Sequence, residues 1–182
     1  MLTSKNNLLD VDFLIDKVIS ADNEKIADLG CGSFGYFVFS LAKRISQHGK
    51  VYAVDILKGN LESIKSIAKT ENLKQVEAVW SNLEIYKGTK IGDESLDGAL
   101  LINTLHQSQK YLDILKESVR MLKLGGRMLI VEWNEGDFSF ARNNELRIKK
   151  EDLKKEAEKL GLEIIEDFPA GHHHYGLLLI KK

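Results

Sequence analysis

A chain of 182 residues, 43% hydrophobic and 29% charged, has the length and composition of one globular domain around one core. Its 26 basic and 27 acidic side chains leave a net charge of −1, which argues against a nucleic-acid partner, because phosphate contacts draw on a basic excess. Cys31 is the only cysteine, which excludes an internal disulfide and a cysteine-built zinc site, and no run approaches the ~20 apolar residues of a membrane span. The N-terminal stretch carries acids where a signal peptide needs an apolar run, so the chain reads as soluble and cytoplasmic. One proline, no repeat and no low-complexity stretch leave residues 1–182 as a single domain.

Leu9, Phe13, Leu14, Val18 and Ile19 recur at helical spacing and predict a helix over residues 8–20, a cap within residues 1–24. Lys25 to Leu29 is a short apolar run ending in glycines, which fits a buried strand. Residues 36–47 return to helical spacing, with Gly49 as the stop. A second strand, Val51 to Val54, closes on Asp55; a helix over about 58–71 and a third strand, Val76 to Trp80, follow. Leu96 to Ile102 reads as the fourth strand, about 109–122 as a helix, and Met128 to Val131 as a fifth strand entered through Gly125-Gly126. Strict alternation of strand and helix implies right-handed crossovers and a parallel sheet covered on both faces. The tail departs from that rhythm. After a charged helix at about 149–160, Glu163 to Phe168 and Tyr175 to Ile180 stand about six residues apart, too few for a crossover, so they pair as an antiparallel hairpin. The expected fold is an α/β, Rossmann-like three-layer sandwich: a mostly parallel seven-stranded sheet with an antiparallel C-terminal hairpin strand.

The most informative stretch is Asp28-Leu29-Gly30-Cys31-Gly32-Ser33-Phe34-Gly35, at the junction of the first strand and its helix. Glycines there let backbone approach a ligand, and the helix start offers free N–H groups. Asp55 falls 20 residues after Gly35, at the end of the second strand, where a carboxylate accepts from the two ribose hydroxyls of an adenosine. Gly30-x-Gly32-x-x-Gly35 alone also matches the dinucleotide fingerprint. Asp28 separates the two ligands: an acid before the glycines repels a pyrophosphate and attracts a cationic amino group.

On these residues the chain resembles the class I S-adenosylmethionine-dependent methyltransferases, over nearly its whole length. Asp28 to Gly32 is similar to the family's first motif, Asp55 to its ribose-binding acid, and Ser81-Asn82 stands where Gly-Asp often meets the adenine amino group. Asp97 to Leu105 and Leu122 to Arg127 resemble the fourth-strand motif and the turn before the fifth strand. The resemblance implies S-adenosylmethionine as cofactor, S-adenosylhomocysteine as product and no metal. It places the cofactor against Asp28, Gly30, Cys31, Gly32 and Gly35 in the loop, Asp55 and Ile56 after the second strand, Ser81, Asn82 and Leu83 after the third, and Asn103 after the fourth. Three positions depart: Ser33-Phe34 lengthens the glycine loop by one residue, Asn82 replaces an acid, and Leu124 replaces a proline.

Three side chains are candidates for catalysis. His106 follows the fourth strand on the ligand side and is either a general base or a capping residue. His174 and Tyr175, at the hairpin that returns to the strands' carboxyl ends, either line the acceptor pocket or belong to a solvated turn. Three consecutive histidines, His172 to His174, point to alternating faces and do not converge on a metal. Glu132 and Trp133 are expected at the pocket edge with structural roles. Residues 134–148 form the one sizeable insertion, near the acceptor site, and little material remains for a recognition domain. A small-molecule methyl acceptor follows as the economical reading, with no signal for oligomeric state. Two alternatives stay open: a non-catalytic S-adenosylmethionine-binding module and an NAD-dependent oxidoreductase.

Overall fold

A computed structural model describes residues 8–136 and 147–182. Seven strands form one sheet: β1 (Lys25–Leu29), β2 (Lys50–Asp55), β3 (Val76–Trp80), β4 (Leu96–Ile102), β5 (Leu122–Trp133), β6 (Leu162–Gly171) and β7 (His174–Lys181). Among the described residues, five α-helices accompany them: α1 (Val11–Val18), α2 (Tyr36–Arg44), α3 (Lys58–Thr70), α4 (Tyr111–Met121) and α5 (Lys150–Lys159). The spatial order is β3-β2-β1-β4-β5-β7-β6. Strands β1 to β5 pair in parallel, whereas β7 runs antiparallel to both β5 and β6. The three-layer sandwich with its antiparallel hairpin is thus the fold that forms.

Both faces of the sheet are apolar, as buried parallel strands require. On one, Leu14, Ile15 and Val18 of α1, Val38 and Leu41 of α2 and Ile64 of α3 pack on Ile26, Val51 and Leu100. On the other, Leu115 and Val119 of α4 with Leu153 and Ala157 of α5 cover Ala27, Val54, Leu101 and Ile130. Asp10 starts α1 by accepting the Phe13 N–H through its side chain at 3.1 Å.

Several expected boundaries move, among them the end of α2 and the start of β5. Helix α2 ends at Arg44, where the Ile45 N–H closes on Leu41 and the Ser46 N–H bonds the Asp22 carbonyl. Gly49 therefore lies in the turn into β2 rather than at the helix end. Strand β5 begins at Leu122, and Gly125-Gly126 sits inside it at a shift of register against β4. Of the insertion expected at 134–148, residues 137–146 lie outside the described residues. Arg147 donates to the Asn134 carbonyl at 2.9 Å, which ties the two described ends together. No helix among the described residues is long and apolar enough to cross a membrane.

Candidate functional site

Parallel strands end together, so the loops after β1, β2, β3 and β4 converge at one edge of the sheet. A cavity of about 280 Å³ opens there, lined by Gly30 and Gly32 after β1, Asp55 to Leu57 after β2, Ser81 to Glu84 after β3, and Thr104, Gln107 and Ser108 after β4. Its size is close to the lower end of small-molecule pockets, roughly 300 Å³. Of the residues singled out for a cofactor, Gly30, Gly32, Asp55, Ile56, Ser81, Asn82 and Leu83 line this cavity, whereas Asp28, Cys31, Gly35 and Asn103 are not part of its lining.

The glycine loop is held from below by strand β2. The N–H groups of Gly30 and Cys31 both donate to the Val54 carbonyl, at 2.8 and 3.1 Å. Gly30 has φ +91°, and a Cβ there would lie 2.7 Å from both Cγ2 and Oγ1 of Thr104. Thr104 is itself fixed, since its hydroxyl donates to the Leu29 carbonyl at 2.9 Å. Gly30→Ala should therefore lower stability by about 1–2 kcal/mol through strain and overlap together. An unfolding midpoint equal to that of the wild type would show instead that Thr104 yields. Gly35, φ +57°, faces the same restriction against Ile64 and Phe39.

Asp55 is the hub of the cavity. Its Oδ2 accepts the Gly32 N–H at 2.9 Å and its Oδ1 accepts the Leu57 N–H at 2.8 Å. Each oxygen keeps a further lone pair, and both belong to a residue lining the cavity. Asp28 lies deeper, 2% exposed; burial, and then the Asp55 charge, push its carboxyl up to about 7. The Cys31 thiol is pushed up by burial and by both aspartates, so it is not a thiolate at neutral pH.

The segment after β3 supplies a further part of the wall. Its start is tied to its far end by a 2.8 Å bond between the hydroxyls of Ser81 and Thr89. Glu117 of α4, fully buried, accepts the Lys87 and Thr89 N–H groups at 2.8 and 3.0 Å and is paired with Arg120 at 2.8 Å. Asn82 lies in the cavity wall, and its Oδ1 accepts the Glu84 N–H at 3.0 Å, so it shapes the turn as well.

At the ends of β4, β5 and β7 a second polar cluster forms. His106, in the single helical turn Leu105–Gln107, bonds through Nδ1 to Glu132 Oε2 at 2.7 Å. Glu132 Oε1 accepts the Leu105 N–H at 2.7 Å, and the residue is 1% exposed. Asn103, in the left-handed region at φ 54°, meets His174 Nε2 through its amide nitrogen at 3.1 Å. His174 belongs to β7 rather than to the turn; it is completely buried against Trp133, and burial pushes its imidazole down to about 4. Tyr175 faces the core and donates its hydroxyl to the Ile148 carbonyl at 3.0 Å, so it lies outside the cavity lining. Sequence reasoning did not single out Thr104, although it lies within the fourth-strand motif. It also had no signal for the pairing of His106 with Glu132, which are 26 residues apart.

A family model described as a methyltransferase domain matches residues 20–173. Among curated proteins, the chain is similar to a demethylmenaquinone methyltransferase of Lactococcus lactis subsp. lactis, 34% identical over 110 residues, 59% of this chain and 41% of that protein. It is also similar to the biotin biosynthesis bifunctional protein BioHC of Teredinibacter turnerae, 26% identical over 178 residues, 87% of this chain and 30% of that one. The chain spans less than half the length of these curated relatives. Among solved structures, a SAM-dependent methyltransferase from Aquifex aeolicus superposes with a TM-score of 0.86 at 20% identity, covering 100% of this chain and 94% of that one. An O-methyltransferase from neocarzinostatin biosynthesis, in complex with S-adenosylhomocysteine and 1,4-dihydroxy-2-naphthoic acid, has a TM-score of 0.73 at 18% identity, covering 95% of this chain and 54% of that one. At such identities these structures speak for the fold.

Proposed function

This chain belongs to the methyltransferase-domain family, and on that premise we propose that it transfers a methyl group from S-adenosylmethionine to a small-molecule acceptor. The observation that carries the reading is Asp55, whose two oxygens hold the glycine loop and the loop after β2 against one cavity. When bound, S-adenosylmethionine supplies a methyl carbon made electrophilic by its sulfonium and leaves as S-adenosylhomocysteine.

The residues fit such a molecule in three ways. Asp55 offers its remaining lone pairs to the ribose hydroxyls. Ser81, Asn82 and Leu83 offer the adenine edge a wall, and Asn82 Oδ1 has a second lone pair for its amino group. Gly30 and Gly32 permit close approach, and Asp28 gives a buried negative charge to a cationic amino group. Cys31, Gly35, Ile56 and Asn103 complete the shell in this proposal. The near-neutral net charge favours a small acceptor over a nucleic acid. Positioning and exclusion of water are then the protein's main contributions to an in-line displacement. Cytoplasmic residence is part of the same proposal.

Calorimetric titration with S-adenosylmethionine, S-adenosylhomocysteine and NAD tests it. Affinity in the micromolar range for the two sulfur ligands, with none for NAD, is the expected result. NAD binding alone would restore the oxidoreductase, and no binding by any of the three would overturn the proposal.

A further inference from the structure

Glu132 is a carboxylate 1% exposed at the end of β5, and its hydrogen bonds all go to one short turn. Oε1 accepts the Leu105 N–H at 2.7 Å and, more weakly, the His106 N–H at 3.4 Å. Oε2 sits 2.7 Å from His106 Nδ1. A carboxylate in that position selects the tautomer with the proton on Nδ1, which leaves the lone pair on Nε2. Nε2 has no hydrogen-bond partner among the described residues, and the side chain keeps 23% of its surface exposed. Its neighbours Thr104, Gln107 and Ser108 line the cavity described above. His106 itself is not among the residues that line it, so the imidazole is oriented and polarised from behind at the margin of the cavity, with its side chain partly exposed.

A second observation points to a ligand beside it. Asn103 Oδ1 and His174 Nδ1 are buried with no hydrogen-bond partner among the described residues, although native structures leave few such atoms unpaired. Both residues stand at the same strand ends, and Trp133, partly exposed, lies in ring contact with His174. Among the described residues, Glu132 from β5 and His174 from β7 are titratable neighbours of His106. Burial pushes the His174 imidazole down to about 4, so it adds no positive charge beside His106.

Resting on the methyl-transfer reading, we infer that His106 is the general base for an acceptor bearing a weakly acidic hydroxyl, a phenol or an enol, with Glu132 as its positioning residue and Asn103 Oδ1 as the partner of a second hydroxyl. Carboxylates and thiolates are already ionised and need no base, whereas a neutral hydroxyl gains nucleophilicity only as its proton leaves. The step balances: the O–H bond breaks and its proton goes to Nε2, while the oxygen lone pair forms the O–CH3 bond. The S–CH3 electrons return to sulfur, and the imidazolium later gives its proton to water.

The test uses the full chain, first titrated with S-adenosylhomocysteine and then with 4-nitrocatechol, whose phenolate absorbs in the visible. It is run about one pH unit below the probe's own ionisation midpoint in water. The wild type should convert bound probe to phenolate. His106→Gln should keep its fold by circular dichroism and its S-adenosylhomocysteine affinity, but lose the phenolate signal about tenfold or more. Glu132→Gln should move the ionisation midpoint of the bound probe upward, a change that loss of packing alone would not cause. With S-adenosylmethionine instead, mass spectrometry should find the methyl on a probe oxygen. No phenolate in the wild type, or an equal signal in His106→Gln, would overturn the inference. A protein that fails at the first titration would lose the donor reading and this one together, before any phenol is added.

Discussion

Asp55→Ala should weaken S-adenosylmethionine binding by about 2–3 kcal/mol, a loss of roughly 30- to 150-fold in affinity. Two effects contribute. The substitution removes the acceptor proposed for both ribose hydroxyls. It also strands the Gly32 and Leu57 N–H groups, which Asp55 now holds at 2.9 and 2.8 Å. A buried donor left without a partner costs about 1–3 kcal/mol, so the loop is expected to move toward solvent even without ligand. Asp55→Asn separates the contributions: it keeps one acceptor oxygen and turns an amide toward a donor, so binding should fall between the two. The checks are calorimetry for affinity and thermal unfolding for the loop. Undiminished affinity in a folded Asp55→Ala protein would place the cofactor elsewhere.

What the sequence made legible follows from how local each signal is. The glycine loop and the acid at the end of β2 are each written within one turn or one spacing, and the antiparallel hairpin forms as read, although β6 and β7 extend until only His172 and His173 separate them. Helix α2 stopped early because the Ser46–Asp22 bond draws the chain away five residues before Gly49, and no helical periodicity records such a contact. The His106–Glu132 pair joins a turn after β4 to the end of β5, and only the parallel pairing of those strands brings them together. Tyr175 looked like a pocket residue from its place beside the hairpin. Strand alternation, with Tyr175 paired to Glu132 and buried at 4% exposure, turns it into the core instead. Asn82 read as a ligand acceptor, yet its side chain also closes its own turn on Glu84, a use common to Asn.

Asp28→Asn should act on stability and on binding in opposite directions, and pH separates the two. In the folded protein the carboxyl is pushed up to about 7, against 3.8 for the free group, by burial first and the Asp55 charge second. A folded-state value above the unfolded one means the native state holds the proton more tightly. No penalty exists below about 3.8; it grows as pH rises and is complete above about 7. Asp28→Asn, which cannot ionise, should therefore unfold about 1–3 kcal/mol harder than wild type at pH 8, with the advantage gone near pH 3. The full shift would convert to more, but Asp55 shares it and would relax with the mutation. Binding runs the other way. A cationic amino group beside Asp28 favours the carboxylate, so the complex releases a proton and wild-type affinity should fall as pH drops below about 7. Asp28→Asn should bind at least about tenfold more weakly at pH 8 and lose most of that pH dependence. Titrations in two buffers of different ionisation enthalpy count the protons directly near pH 6.5. A stabilised variant that binds with wild-type affinity and releases the same protons would show that the buried acid serves the fold alone. A variant that is both more stable and weaker in binding would mark Asp28 as a charge the free protein tolerates because the ligand answers it.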